Sequence, residues 1–324
     1  GSTINIYTEF VQIGGSITKT ITATAYYGDL VLKGNSGSFG YTQEGDISDK
    51  VRITKNGTAT MNLLSNVSWP SKVSVSSGTI DFGNTARTMS FSGVADSISF
   101  AGSTLLLNGG DAKHGIVYRG STSVLTFPDV YAHGTADYFE FANTGGTQVL
   151  NLSQSFNILR IKAASGANII IGNDAASHTI TVADSLHIGS GSLTLCGSAS
   201  SNTNTLICEG NYNQEGGILE LCNSADGSGM LEIGKRFRYV GGSFKGSLGS
   251  STVTFDNSES EIFVESTGVL MSGPIDFVVT DNTIFYFSSP TSLIWNTNAN
   301  CNFTNLGRSE EHTSELQSRQ VISY

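Results

Sequence analysis

The densest run of ionisable side chains is FPDVYAHGTADYFEF, which holds Asp129, His133, Asp137 and Glu140. Carboxylates and an imidazole at such spacing are the groups of a metal site or of a general acid–base pair. A turn carrying solvated Asp residues accounts for them as well, and is the expected reading. Asn223, Asp226 and Gly227 in NSADGSG lack the alternating acidic spacing of a calcium loop and are expected to form a β-turn. Lys235, Arg236 and Arg238 form a short basic patch in an acidic chain. They are expected on a solvated strand face, with an anionic-glycan contact as the other reading. Tyr26-Tyr27, Tyr138-Phe139 and Phe285-Tyr286-Phe287 are aromatic runs that could stack on sugars. On alternating strands one member of each pair should be core and its neighbour exposed. There is no P-loop, dinucleotide-binding glycine fingerprint, G-x-S-x-G or H-E-x-x-H. No catalytic, cofactor-binding or metal-ligating residue is therefore assigned, and no cofactor is expected.

The elements that would position these residues are short strands. Charged residues are only 14% of the 324, hydrophobic residues 38%, Gly is abundant at 38 and Pro rare at 4. Disorder goes with low hydrophobicity and high charge, so this composition suits many short β-strands joined by Gly, Asn and Ser turns. Residues 72–75, 79–82, 88–91, 97–100 and 104–107 each alternate apolar and polar, which turns one face inward. No segment of helical length keeps a 3.6-residue period, and no run of eighteen apolar residues suggests a transmembrane helix. The formal charge of −10 argues against a nucleic-acid partner.

Internal repetition then sets the architecture. TITVADSLHIGSGSLTLC aligns with TLICEGNYNQEGGILELC at an offset of 26, matching Ile180 to Leu206, Gly191 to Gly217 and Cys196 to Cys222. LEIGKRFRYVGGSF follows at an offset of 25, matching Leu206 to Leu231, Tyr212 to Phe237 and Gly216-Gly217 to Gly241-Gly242. A coil of that length makes three short strands and three turns, and buries its inward side chains only when the next coil stacks on it. The predicted fold is an all-β, right-handed parallel β-helix or β-solenoid with coils of about 25 residues, clearest over 179–255; the alternative is an array of β-sandwich domains. If residues 1–307 all wind this way, they make about twelve coils. Cys196 and Cys222 would lie on neighbouring coils, as a disulfide or as stacked thiols in the core. Cys208 and Cys301 are expected to be small buried residues.

At these residues the chain resembles long repetitive surface proteins of Bacteroidota, whose units read L-x-V-x-G-(N)-F-x-Q-x-G-G-T-F … G-x-V-x-F-x-G. The counterparts are LICEGNYNQEGGILEL, LEIGKRFRYVGGSFKGSLGSSTVTF and PIDFVVTDNTIFYF, with residues 26–34 matching a Y-Y-N-L-x-L-x-G strand. Between about 35 and 178 the likeness is one of composition alone. The resemblance implies a secreted or surface-attached protein, often exported through a C-terminal sorting domain. A weaker likeness is to polygalacturonases, which share the β-helix: Arg160-Ile161-Lys162 matches their RIK triplet and Ala132-His133-Gly134 loosely their GHG. Their Asn-Thr-Asp and Asp-Asp motifs, which supply the paired carboxylates of glycoside hydrolysis, have no counterpart upstream of His133.

From Arg308 the composition changes to RSEEHTSELQSRQVISY. This stretch resembles the in-frame translation of a sequencing-library adapter, with the closing Ile-Ser-Tyr at the spacing expected beyond an index. Residues 308–324 are thus expected to be non-native, and 1–307 a single solenoid fragment. Without the tail's two Arg and three Glu the chain has 15 basic and 24 acidic residues, a charge of −9.

These readings together predict a non-catalytic structural or adhesive scaffold, extracellular or on a bacterial surface. Glycans or other cell-surface components are its candidate partners, and self-association through open solenoid ends is a further expectation. The alternative is a carbohydrate-active β-helix enzyme, a lyase or hydrolase. It would be marked by carboxylates, or by basic residues with calcium ligands, clustered on one face.

Overall fold

The computed structural model describes the backbone between Thr3 and Asn305, apart from 7–9, 13–15, 18–27, 48–50, 71, 92–96, 108–111, 121–124, 257–260, 281–283, 288–291 and 296–301. Side chains are described within 29–280, outside those gaps and most of 261–270. Tyr26, Tyr27, Cys301 and residues 308–324 lie outside the described residues.

Alternation drives most of the local elements, Gly115–Tyr118, buried throughout, being an exception. In Val51–Asn56, Ser250–Phe255 and Thr60–Leu63 buried and half-buried positions alternate, so each strand turns an apolar row inward. A single strand cannot cover that row, and the strands instead stack in parallel as a β-solenoid of about nine turns, roughly 25 residues per turn, with no helix among the described residues. The parallel ladders exclude the array of sandwiches, whose sheets are antiparallel. The turns number about nine, against the twelve that winding of all 307 residues would give. The expected strands are present as Val73–Val75, Thr79–Asp81, Thr88–Phe91, Ile98–Ser99 and Thr104–Leu106.

Each coil has three faces. One, the long face, runs through Val67–Trp69, Thr88–Phe91, Gly115–Tyr118, Tyr138–Phe141, Gln154–Lys162, Thr179–Ser190, Asn211–Gln214, Arg236–Tyr239 and Glu261–Ser272 to Ile284–Phe287. The two flanking faces begin as six-stranded sheets that end at Leu125–Thr126 and Val130–Ala132. New flanking ladders start with Thr147–Leu150 and with the first residues of Gln154–Lys162. An aromatic cluster fills the joint. Phe127 lies 5.3 Å from Phe139 and 5.6 Å from Phe156, and Tyr131 lies 5.9 Å from Phe156. Large rings bury area where strand pairing lapses.

The repeat register is as the offsets require. Ile180 pairs with Leu206, Leu206 with Leu231, and Tyr212 with Phe237, whose rings stack 5.2 Å apart. Gly217, at φ 62°, shows why the corner needs glycine: an added Cβ would sit 2.7 Å from the Gly191 carbonyl oxygen of the coil before. Cys196, Cys208 and Cys222 are buried free thiols. Cys196 and Cys222 stack on neighbouring coils, where the Asn223 amide donates to the Cys196 carbonyl at 2.8 Å. Of the two arrangements open for that pair, the structure holds the stacked thiols.

Candidate functional site: a cationic groove on the long face

The alternation that buries Leu159, Leu186, Tyr212 and Phe237 points their strand neighbours out of the long face. Because the strands of successive coils pair in register, outward positions stack into ladders. One ladder runs Glu140, Arg160, His187, Asn213, Arg238, Glu265. Beside it lie Ser185, Asn211 and Arg236. Long side chains, Arg160 and Lys162 on one coil and Arg236 and Arg238 three coils on, stand either side of the shorter Ser185, Asn211 and Asn213. The result is a groove of about 500 Å³ whose lining includes four cations and no carboxylate.

Carboxylates stand at its rim and hold the cations in place. Glu140 lies 3.3 Å from Lys162 Nζ and 3.9 Å from Arg160. Glu265 accepts from Arg236 at 2.6 Å and from Arg238 at 3.1 Å, and Glu215 accepts from Arg238 at 2.5 Å. Arg238 also donates to Asn213 Oδ1 at 2.8 Å. The Arg238 guanidinium holds the Glu215 carboxyl below the usual carboxylate range, and Arg236 does the same to Glu265. Half-burial lowers the His187 pKa against the pull of Glu215, whose carboxylate lies 3.7 Å from its Nε2. The groove therefore offers fixed guanidinium and ammonium groups, amides, a hydroxyl and an imidazole, which suits recognition of a hydrogen-bonding anion.

The densest sequence cluster is dispersed. Asp137 is buried and accepts from the His114 amide at 2.9 Å and the Gly134 amide at 2.6 Å. Its solvated-turn reading is thereby corrected: two orphan backbone donors hold the carboxylate inside. Asp129, which is exposed, accepts from the Gly102 amide of the previous coil at 2.9 Å, His133 sits against Tyr131, and Glu140 joins the groove rim. Among the described residues no three His, Cys, Asp or Glu side chains could hold a metal ion. The NSADGSG segment is a bend in which Ser224 Oγ donates to the Ser200 carbonyl. Phe139 is in the core as alternation requires, while its neighbour Tyr138 is half-buried under the Arg160 guanidinium, 4.2 Å from its ring centre, which removes that ring face from sugar stacking. Lys235 is exposed at a turn beside the groove strands. Ile284–Phe287 is a strand on the long face.

Sequence reasoning treated Arg160-Ile161-Lys162 and Lys235, Arg236 and Arg238 as separate motifs, and the structure brings their outward cations onto one groove. The signal was present. Stepping back from Arg238 by 25, 26 and 27 residues reaches Asn213, His187 and Arg160, an upstream extension of the offsets seen between 180 and 231. A second feature was also missed. Tyr41-Thr42-Gln43-Glu44-Gly45 and Tyr212-Asn213-Gln214-Glu215-Gly216 share Y-x-Q-E-G, and in both the buried Tyr hydroxyl donates to the Gln Oε1, at 3.3 and 2.5 Å.

The fold defines a β-solenoid. Comparison with known protein families, with curated proteins and with solved structures returned no match to this chain. Among the described residues no helix is long and apolar enough to cross a membrane.

Proposed function

We propose that this chain is a non-catalytic extracellular scaffold of a bacterial surface or secreted protein, a rigid spacer whose long face also serves for contact. The observation that carries the reading is the long face itself. It is one parallel sheet from Val67–Trp69 to Ile284–Phe287, with outward charges spent on pairs between coils. Backbone pairing at every coil makes such a rod stiff along its axis, which suits a spacer. A general acid must keep its proton near neutral pH, whereas Glu215 and Glu265 at the groove rim are held ionised by Arg238 and Arg236. The resemblance to repetitive surface proteins supports the location.

A second reading, a carbohydrate-active β-helix enzyme, draws on the same groove, because the half-buried His187 stands between Arg160 and Arg238 on one ladder. Incubation of the purified chain with polygalacturonate and alginate separates the two. The scaffold reading expects no new reducing ends and no unsaturated products over a day at micromolar protein. Release of either would replace it with the enzyme reading.

A further inference from the structure

We infer that the groove on the long face is a subsite for a carboxylate-bearing oligosaccharide lying along the solenoid axis, an inference that rests on the non-catalytic reading above. The cation pairs Arg160 with Lys162 and Arg236 with Arg238 stand three coils apart, about 14 Å at the strand spacing of a parallel sheet. A compact anion such as phosphate reaches one pair and not both. A chain of sugars bearing acid groups at intervals reaches both, with its hydroxyls over Ser185, Asn211 and Asn213 between them. Those three side chains are neutral and carry both donors and acceptors, which is what a sugar hydroxyl needs and what a second phosphate does not. The cations are reachable: Lys162 and Arg236 are each 48% exposed. Their rim carboxylates fix the guanidinium planes in advance, so a ligand carboxylate meets donors already ordered. The overall charge of −10 disfavours a long polyanion, while at the groove the cations Arg160, Lys162, Arg236 and Arg238 outnumber the rim carboxylates Glu140, Glu215 and Glu265 by one.

The test is calorimetric titration of the full chain with tetragalacturonate, its fully methyl-esterified counterpart and inorganic phosphate. Product analysis of the same mixtures accompanies it. The partner protein is the double variant Lys162→Gln with Arg236→Gln, whose fold is checked by circular dichroism. The expected result is saturable binding of the acid form that weakens with salt and falls about tenfold or more in the double variant, as loss of charge-assisted contacts requires. Equal affinity of the variant, equal affinity of the ester, or full displacement by phosphate at matched concentration would each overturn the assignment. Absence of binding without turnover defeats the groove inference and leaves the scaffold standing. Turnover defeats the scaffold reading, and the charge dependence of binding then still decides the groove.

Discussion

Coils between 179 and 245 and coils between 51 and 138 have the same architecture but different regularity. In the first region all three faces advance by the same step. Ile180 to Leu206, Ser185 to Asn211 and Ser192 to Ile218 are each 26 residues, and the next steps, to Leu231, Arg236 and Ser243, are each 25. In the second region the faces disagree. Ile53 to Val73 is 20 residues, Thr60 to Thr79 is 19 and Val67 to Met89 is 22. Strand registers survive in both, so the corners absorb the difference. The constant step repeats residue types as well as strand register, and on these coils and the preceding Gln154–Lys162 strand outward Arg, His and Asn residues align into a groove. The earlier coils keep a core while their faces advance by unequal steps.

The sharpest way to break this comparison is a one-residue insertion. Placed between Asn211 and Tyr212 it puts the rest of that strand out of phase, turning Tyr212 and Gln214 out of the core and Asn213 into it. The expected outcome is loss of cooperative thermal unfolding, read by circular dichroism. The same insertion in the exposed corner at residues 84–86, where coil length already varies, should shift the midpoint by only a few degrees. An equal effect at both places would mean that regularity has no mechanical meaning here.

The irregular region stabilises its corners by other means, and Lys55 is the clearest. Its ammonium is buried and donates to the carbonyls of Gly57, Ala59 and Ser77 at 3.3, 3.0 and 2.9 Å. Lys55→Met should cost about 1–3 kcal/mol by leaving buried acceptors without donors, measured by urea unfolding. Burial lowers the folded pKa to about 8 from 10.5. Between those values the unfolded chain binds a proton that the native chain lacks, so the Lys55 contribution grows more favourable as pH rises from 8 to 10. The stability gap between wild type and Lys55→Met should widen over that window. A constant or narrowing gap would show that the carbonyls keep the ammonium charged.

In the regular region the corresponding buried polar group is Gln214. It accepts from the Tyr212 hydroxyl and donates to the Ser243 carbonyl of the next coil at 2.9 Å. Gln214→Leu should cost about 1–2 kcal/mol, because two buried partners lose their bonds while shape is nearly kept. Gln43→Leu, its counterpart in the other Y-x-Q-E-G segment, also loses donation to the Gly45 and Ser68 carbonyls at 2.8 Å, and should cost at least as much.

Much of this fold was legible because alternation and a constant coil length are written locally. The strands at 79–82 and 88–91 and the partners of Ile180, Leu206 and Tyr212 follow from spacing alone. The joint near 126–147 was not legible, because Phe127, Tyr131 and Phe156 read as ordinary strand aromatics until the flanking sheets are seen to change partners there. Lys55 and Asp137 escaped for a related reason. Each is a charged residue drawn inward by backbone groups at a corner, and corner geometry depends on coils that are distant in sequence. The groove lay between these cases: its four cations were noticed in two separate motifs, Ser185, His187, Asn211 and Asn213 were not, and their common face follows only when the coil period is carried upstream to Arg160.

The smallest expected effect sharpens the distinction between a surface that supports the fold and one that serves a partner. Arg236 pairs with Glu265 at 2.6 Å, but both side chains are partly solvated. An exposed pair of this kind contributes about 0–1 kcal/mol, so Arg236→Gln should move the unfolding free energy by less than about 0.5 kcal/mol, and by less still at high salt. Glu265 keeps Arg238 at 3.1 Å, which limits the loss further. If the ladder were there to hold the coils together, Arg236→Gln would instead destabilise the chain by an amount that salt in the wild type reproduces. A near-silent effect on stability, beside a measurable one on acidic-oligosaccharide binding, is the pattern of side chains retained for what they contact.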